Sequence, residues 1–279
     1  MWKVWAFATI WNEEKMLPFY LKHYSQFCER MIFFDNESDD RSHEIINSYP
    51  NTEIRTFKTE GTLDDFAHLA LKGRAIEEAK GNCDYVIIGD CDEFVYHPNI
   101  LNFLKEHLNK TSVFFPAGFQ MVSSYFPKTE DQIYESILTG LPDAWYTKPI
   151  LLNPNMVQNF EWVEGCHEID YRTSKLSGDI FHPIPHGIRP IGEYKGNPWG
   201  KFEMLFESTY LFQEVPLKLL HYKHLGSDFV TDRYNQYINR SSEANKSEGL
   251  GTQYERSIAE NNINSTIYKL LELAITVNL

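Results

Sequence analysis

The chain has 279 residues with 42% hydrophobic content, enough to bury a full core, and this composition excludes a disordered or fibrous protein. A formal net charge of -13 and a pI near 5.2, with Lys and Arg scattered along the chain, exclude a nucleic-acid-binding surface. An acidic protein that handles a phosphorylated small molecule must overcome its own field locally, and a bound divalent cation is the usual device.

Cys28, Cys83, Cys91 and Cys166 show neither CxxC pairing nor zinc-like spacing, so they read as reduced thiols. The segment Met1 to Ile10 is too short and too polar around Lys3 for a signal peptide, and no run approaches the ~20 apolar residues of a membrane span. The expected compartment is the cytoplasm. The sequon Asn36-Glu37-Ser38, in a loop placed below at a ligand site, fits a compartment without N-glycosylation. Aromatic residues make up 15% of the chain, which core packing alone explains, although a groove for flat, hydroxyl-rich ligands would use them too.

Short apolar runs alternate with helical patterns through the first half, the signature of β-α-β units and a mostly parallel sheet. Val4 to Ile10 is the first predicted strand. Asn12 is the expected cap of the next helix, whose apolar positions are Leu17, Tyr20, Leu21, Tyr24 and Phe27. Met31 to Phe34 is a second strand, running into the acidic loop Asp35 to Asp40. A helix from Ser42 to Tyr49, a strand near Ile54 to Phe57, and a helix from about Asp64 to Lys80 capped by Thr62 follow. Tyr85 to Gly89 is a continuous apolar run, as in a strand buried on both faces, and ends abruptly in Asp90-Cys91-Asp92-Glu93. A helix from Asn99 to Leu108 and a strand from Ser112 to Phe115 close this half.

From Gly118 to about Val215 the chain is rich in Pro, Gly and aromatics without long periodic stretches, and reads as insertions and loops around a site, with no second independent core. Leu217 to Tyr222 is a predicted strand and Ser227 to Ser241 a helix. Ile263, Ile267, Leu270, Leu271, Ala274 and Ile275 form a terminal apolar stripe. That stripe suits packing on the body. Lys269 alone supplies a nearby basic residue, so a peripheral membrane contact has little behind it. The resulting division is 1-117 as a nucleotide-binding half, 118-226 as an acceptor-side half, and 227-279 as a helical C-terminal segment.

Open α/β sheets bind ligands beyond the carboxyl ends of their strands. Asp90 to Glu93 lies there. Residues two apart on an extended chain face the same way, about 6.5 Å apart at Cα, so Asp90 and Asp92 can converge while Cys91 turns into packing. Such a pair suits Mg²⁺ or Mn²⁺, hard ions that take carboxylate and phosphate oxygens. A solvated strand cap is the bland reading of a lone D-x-D. Three carboxylates directly behind a buried strand favour the metal, because without a cation they repel one another.

Trp11-Asn12-Glu13-Glu14, Phe34-Asp35-Asn36-Glu37-Ser38-Asp39 and Gly89-Asp90-Cys91-Asp92-Glu93-Phe94 together resemble glycosyltransferase family 2-like proteins. The resemblance continues in the same order through Gly165-Cys166-His167 and Leu219 to Gly226. It implies a GT-A fold: a Rossmann-like α/β nucleotide-binding sheet with helices on both faces, an acceptor-side insertion and C-terminal helices. It further implies a UDP- or GDP-sugar donor, Mn²⁺ or Mg²⁺, a carbohydrate or glycolipid acceptor, and inversion at the anomeric carbon.

Carried over by position, Thr9, Trp11 and Glu13 would line the nucleotide and Asp35 would meet the base or ribose. Asp90 would contact ribose or metal-bound water and Asp92 the metal, while Lys72 or Arg74 would approach the diphosphate. His221 is the first candidate to complete the metal shell and His167 the second; His224 reads as a core histidine. His182 and His186 stand four apart, but Pro183 and Pro185 forbid the helix that a zinc-binding pair of that spacing needs. The catalytic base would be Asp143, beside Trp145, or Glu168. The aromatic segment from Gly118 to Trp199 would select the acceptor.

Three other readings compete. A haloacid-dehalogenase-like phosphatase expects Thr or Val where Phe94 stands. A sugar nucleotidyltransferase expects a Gly-rich loop after the first strand, where Ala8-Thr9-Ile10-Trp11-Asn12 has no glycine. A module that binds nucleotide-sugar or carbohydrate without catalysis would keep the metal seat and lack the base.

Overall fold

The computed structural model describes residues 2–163, 167–182, 212–247 and 262–279. Cys166, His186 and the Gly165-Cys166 part of one motif lie outside them. The strands are β1 Val4–Ile10, β2 Arg30–Asp35, β3 Thr52–Thr56, β4 Tyr85–Asp90, β5 Glu93–Tyr96, β6 Thr111–Phe114, β7 Ala117–Ser123, β8 Thr139–Pro142 and β9 Leu151–Leu152. Short strands follow: β10 Val157–Gln158, β11 Trp162–Val163, β12 Glu168–Ile169, β13 Lys175–Leu176 and β14 Asp179–Phe181; then β15 Lys218–Leu225 and β16 Ile275–Thr276. The helices are α1 Leu17–Tyr24, α2 Ser42–Asn47, α3 Asp65–Ala79, α4 Ile100–His107, α5 Ile133–Ser136, α6 Ser227–Arg240, α7 Glu243–Ser247 and α8 Ile263–Leu273.

A seven-stranded sheet runs β14-β6-β9-β4-β1-β2-β3, and its β4-β1-β2-β3 part is parallel. Side chains alternate across this sheet with the period of two that a strand imposes. Val4, Ala6, Ala8, Tyr85 and Ile87 pack on one side with α1, α2 and α4. Trp5, Phe7, Val86 and Ile88 pack on the other, against Ala75, Ile76 and Ala79 of α3. Burial of both faces explains the unbroken apolar runs, and each fully buried Phe or Ile contributes on the order of 1.5–3 kcal/mol.

Two helix starts differ from expectation. Asn12 does not cap α1. It adopts φ 53°, its amide oxygen accepts from Asp39 N–H and its side-chain amide donates to Asp39, so it ties the β1 end to the acidic loop. Helix α1 begins only at Leu17-Pro18, where proline's missing N–H costs nothing. Thr62 does not cap α3; Asp64 does, accepting from the N–H groups of Phe66 and Ala67. A carboxylate at that position also complements the helix dipole.

The segment after Gly118 is more regular than its composition suggests. It supplies β7 and β8 to a second sheet, ordered β16-β8-β7-β15-β5, in which β15 is the strand expected from Leu217 to Tyr222. Phe119, Met121, Leu219 and Tyr222 of that sheet belong to the same apolar cluster as Ala6, Phe33 and Tyr85, so among the described residues the two sheets share a core. The chain halves interleave: β9 and β14 return to the first sheet, while β5 joins the second. Ile263 and Ile267 of α8 are buried in the shared cluster, so the terminal stripe packs on the body.

Candidate active site

Strand parity decides where the carboxylates point. Counting from Val86 and Ile88, Asp90 falls on the α3 side of β4, and Thr9 falls on the same side of β1, directly opposite it in the parallel ladder. The Thr9 hydroxyl donates to Asp90 Oδ1 at 3.2 Å, and Lys72 of α3 places Nζ 3.0 Å from the same oxygen. Burial pushes the Asp90 carboxyl up, but Lys72 and then Lys148 outweigh it and hold Asp90 well below the usual carboxylate range. Asp90 keeps 42% of its side chain open to solvent, so it faces the crevice as an anion.

Asp92 lies beyond the strand end and meets β15, which runs antiparallel to β5 with His221 opposite Glu93. His221 Nε2 stands 3.5 Å from Asp92 Oδ2, and Nδ1 is 2.9 Å from Gln120 Oε1. An amide oxygen only accepts, so Nδ1 carries the hydrogen and Nε2 is the nitrogen turned to Asp92. Arg233 of α6 approaches the same carboxylate at 3.3 Å and forms two hydrogen bonds to Glu13, of 2.9 and 3.1 Å. Burial opposes charge on Asp92, yet Arg233 and His221 hold its carboxyl far below the usual range. Glu13 behaves differently: burial pushes it up to about 7, against Arg233, with Asp92, Asp90 and Asp40 adding to the rise.

Glu93 turns back under the strand end. It pairs with buried Lys148 at 2.5 Å and accepts the Asp90 backbone N–H at 3.1 Å. Lys72, Lys148 and Arg233 thus pair directly with the carboxylates of Asp90, Glu93, Asp92 and Glu13 at one strand end, and Lys223 acts on Asp92 from farther off. Among the described residues no group of three or more His, Cys, Asp and Glu side chains converges closely enough to hold an ion by itself. One carboxylate oxygen of Asp92 and one imidazole nitrogen of His221, both on buried side chains, form a donor set whose chemistry fits Mn²⁺ or Mg²⁺ as part of a shell that a bound phosphate oxygen would complete.

At the ends of β1 and β2 the Arg240 guanidinium lies 3.8 Å from the Trp11 ring centroid and donates to Asn36 Oδ1. Asp35, expected to meet a base or ribose, is only 1% exposed; it accepts from His43 Nε2 at 2.9 Å and from the Ser38 N–H. Its carboxylate shapes the loop and is not presented to the crevice. The N–H groups of Asn12, Glu13 and Glu14 donate to Ser38 Oγ, Ser42 Oγ and Asp40 Oδ2, each at 2.9 Å. The turn after β1 therefore has its amides already committed.

The opposite rim is aromatic. Any Cβ on Gly118 would come within 2.3 Å of the Tyr146 backbone, so glycine there lets the 3₁₀ turn Ala144–Tyr146 rest on β7. That turn stacks Tyr146 on His221 with ring centroids 4.4 Å apart, and Trp145 on His167 at 4.3 Å. His167 Nδ1 bonds to the Trp145 carbonyl, its ring meets that of Tyr146, and burial pushes its pKa down to about 2. Asp143 caps the same turn, accepting the Trp145 N–H at 2.9 Å, and Glu168 stands exposed on β12. Arg74 is not brought to Asp90. It projects from the outer flank of α3 into a groove with Phe160 and Arg172.

Thr9, Glu13, Lys72, Asp90, Asp92 and His221 are brought together, with Trp11 at one end. Sequence reading missed Arg233, Arg240, Lys148 and Tyr146. The signal for Arg233 was present: it shares the buried face of α6 with Phe229, Val230 and Tyr234, where an unpaired charge would be costly. Lys148 likewise heads the apolar run Pro149-Ile150-Leu151-Leu152.

No protein-family model matches the chain, and no curated protein does. Solved structures are similar over part of it. Glucosyl-3-phosphoglycerate synthase from Mycobacterium tuberculosis, determined with Mn²⁺, UDP and glucosyl-3-phosphoglycerate, is 13% identical over 42% of this chain and 44% of its own, with a TM-score of 0.30. A 4-diphosphocytidyl-2C-methyl-D-erythritol synthase from Anaerococcus prevotii is 15% identical over 44% and 57%, at 0.28. A putative glucose-1-phosphate thymidylyltransferase from Bacillus anthracis is 11% identical over 44% and 56%, at 0.29. The chain thus spans under half the length of the mycobacterial synthase. The parallel β4-β1-β2-β3 core with helices on both faces makes this an α/β, Rossmann-like fold. Among the described residues no helix is long and apolar enough to cross a membrane.

Proposed function

We propose that the chain is a transferase acting on a nucleotide-sugar, and specifically a glycosyltransferase that moves the sugar to a carbohydrate or glycolipid hydroxyl with inversion. One observation carries this reading: Asp90 and Asp92, both held ionised, sit at the carboxyl end of a central parallel strand with Lys72 on one and His221 and Arg233 on the other. Lys72, Lys148 and Arg233 are already engaged by the carboxylates of this strand end, so an incoming diphosphate calls for a further positive charge, which supports an added divalent ion. Asp92 and His221 would hold Mn²⁺ or Mg²⁺, which when bound supplies Lewis-acid stabilisation of the diphosphate's charge.

The chain's own residues would do the rest. Lys72 faces the charge that develops on the leaving diphosphate, and Asp90 fixes the lysine in place. As the acceptor oxygen bonds to the anomeric carbon, the bond from that carbon to the diphosphate oxygen breaks and its electron pair leaves with the nucleotide. The acceptor proton passes to a carboxylate on the aromatic rim, Asp143 or Glu168. Trp145, exposed beside Asp143, offers a face on which an acceptor sugar can stack.

The same geometry disfavours nucleotidyl transfer. That chemistry cradles a nucleotide's phosphates on backbone amides after β1, and here those of residues 12 to 14 already serve Ser38, Ser42 and Asp40. Incubation with UDP- and GDP-sugars plus Mn²⁺ tests the assignment. Release of nucleoside diphosphate supports it. Release of pyrophosphate from a nucleoside triphosphate and a sugar 1-phosphate would replace it with the nucleotidyltransferase reading.

A further inference from the structure

Helix α6 crosses the crevice, and three of its contacts are unlike ordinary helix packing. Arg233 reaches Glu13 and Asp92, Arg240 covers Trp11, and Gln236 and Tyr237 between them line a cavity of about 130 Å³ shared with residues 11 to 15. Seven residues make two helical turns, so both guanidinium groups leave the same face roughly 10 Å apart along the axis. Arg240 is further fixed by Gly61 O, 3.0 Å from Nε.

We propose that α6 is the donor-recognition element of this site and that its two arginines read opposite ends of a nucleoside diphosphate: Arg240 and Trp11 the base, Arg233 the diphosphate. This inference rests on the nucleotide-sugar reading and adds to it the residues that set nucleotide affinity.

The base end follows from shape. A guanidinium lying 3.8 Å from an indole is a stack of two flat π systems, and a nucleobase is a third that either partner accepts. Asn36, buried at the end of β2, sets its side-chain amide beside that stack, with Oδ1 accepting from Arg240 and Thr59 and Nδ2 donating to Phe57 O. A cavity of about 130 Å³ is well below the ~300 Å³ of small ligand pockets, so an entering nucleotide parts α6 from Trp11 and the base takes the place between ring and guanidinium.

The diphosphate end follows from charge. Without Arg233, Asp92 and Glu13 would lose the buried cation that pairs with both, and an incoming anion would be repelled more strongly. Arg233 Nη2, bonded to Glu13 and 3.3 Å from Asp92 Oδ2, would be left to donate to phosphate oxygens as a charge-assisted donor were Asp92 engaged by a divalent ion.

The experiment is calorimetric titration of the full chain with UDP and GDP, then with the monophosphate and nucleoside of whichever binds, each with and without Mn²⁺. R240A is expected to weaken diphosphate, monophosphate and nucleoside alike, by roughly tenfold or more. R233K is expected to weaken the diphosphate by a similar factor while leaving the nucleoside unchanged. Arg233 is buried and paired, so R233K, which keeps the charge, is chosen over truncation, and the diphosphate-to-nucleoside ratio is a readout that general destabilisation would not move. Wild-type binding with equal or tighter binding by both variants would overturn this inference alone. Failure of the wild type to bind either nucleotide would overturn it together with the donor reading.

Discussion

The two rims of the crevice are built on opposite principles. On the proposed donor side the carboxylates have partners before any ligand arrives: Asp90 with Lys72, Asp92 with Arg233 and His221, Glu93 with Lys148. On the rim proposed for the acceptor Trp145 is 38% exposed, Glu168 projects to solvent, and the contacts are ring stacks and one turn cap. Diphosphates carry the same charge whatever sugar they bear, so a rigid, prepaired lattice suits them. Acceptors vary, and an open aromatic rim adapts at lower cost.

That contrast breaks most decisively through single carboxylates. D143N is expected to remove transfer by about 10²–10⁴-fold while nucleotide affinity stays within a factor of two, checked by turnover beside calorimetry. Retained turnover would clear Asp143 and leave Glu168, for which E168Q is the matching variant. D92N should cost about 10²–10³-fold in turnover and, unlike D143N, should also abolish the Mn²⁺ dependence of nucleotide binding.

Stability sharpens the comparison next. K148M leaves the Glu93 carboxylate buried and unpaired, and urea melts should show a loss of about 3–5 kcal/mol, whereas the double variant E93L/K148M should recover most of it. Acid acts on the core more gently. Burial holds His23 down to about 4, against its hydrogen bond to the Val95 carbonyl, while an unfolded histidine titrates near 6.5. The unfolded chain therefore binds the extra proton, so stability present above pH 6.5 is lost as pH falls toward 4, by about 3 kcal/mol for this residue. A denaturation series from pH 7.5 to 4 reads it, and H23Q should flatten the slope. The smallest change is expected on the open rim: W145A should leave the melting temperature within about 1 °C and raise the acceptor KM several-fold.

The sequence made the parallel half readable because burial on both sheet faces writes itself as unbroken apolar runs, and β4 ended where Asp90 appears. Asp92 was legible by its position just beyond β4, whereas Thr9, Lys72 and His221 were named through the family resemblance. The second sheet was not, because β8 and β16 are four and two residues long and take their partners from distant segments. Asn12 and Thr62 misled as helix caps because cap propensity is local, while Asn12 is claimed by Asp39 across the loop and Asp64 stands closer to the first free amides of α3. Arg233 acts some 140 positions from Asp92 in sequence, and only the crossing of α6 over the crevice joins them.

The most direct test of the donor-side lattice is a thermal-shift panel of nucleotide-sugars, with and without Mn²⁺, on the wild type and D92N. A ligand that binds only the native state raises the melting temperature by mass action. Stabilisation of the wild type by a UDP- or GDP-sugar, strengthened by Mn²⁺ and absent from D92N, is the expected result. A wild type indifferent to every nucleotide-sugar at millimolar concentration, with or without the ion, would contradict it.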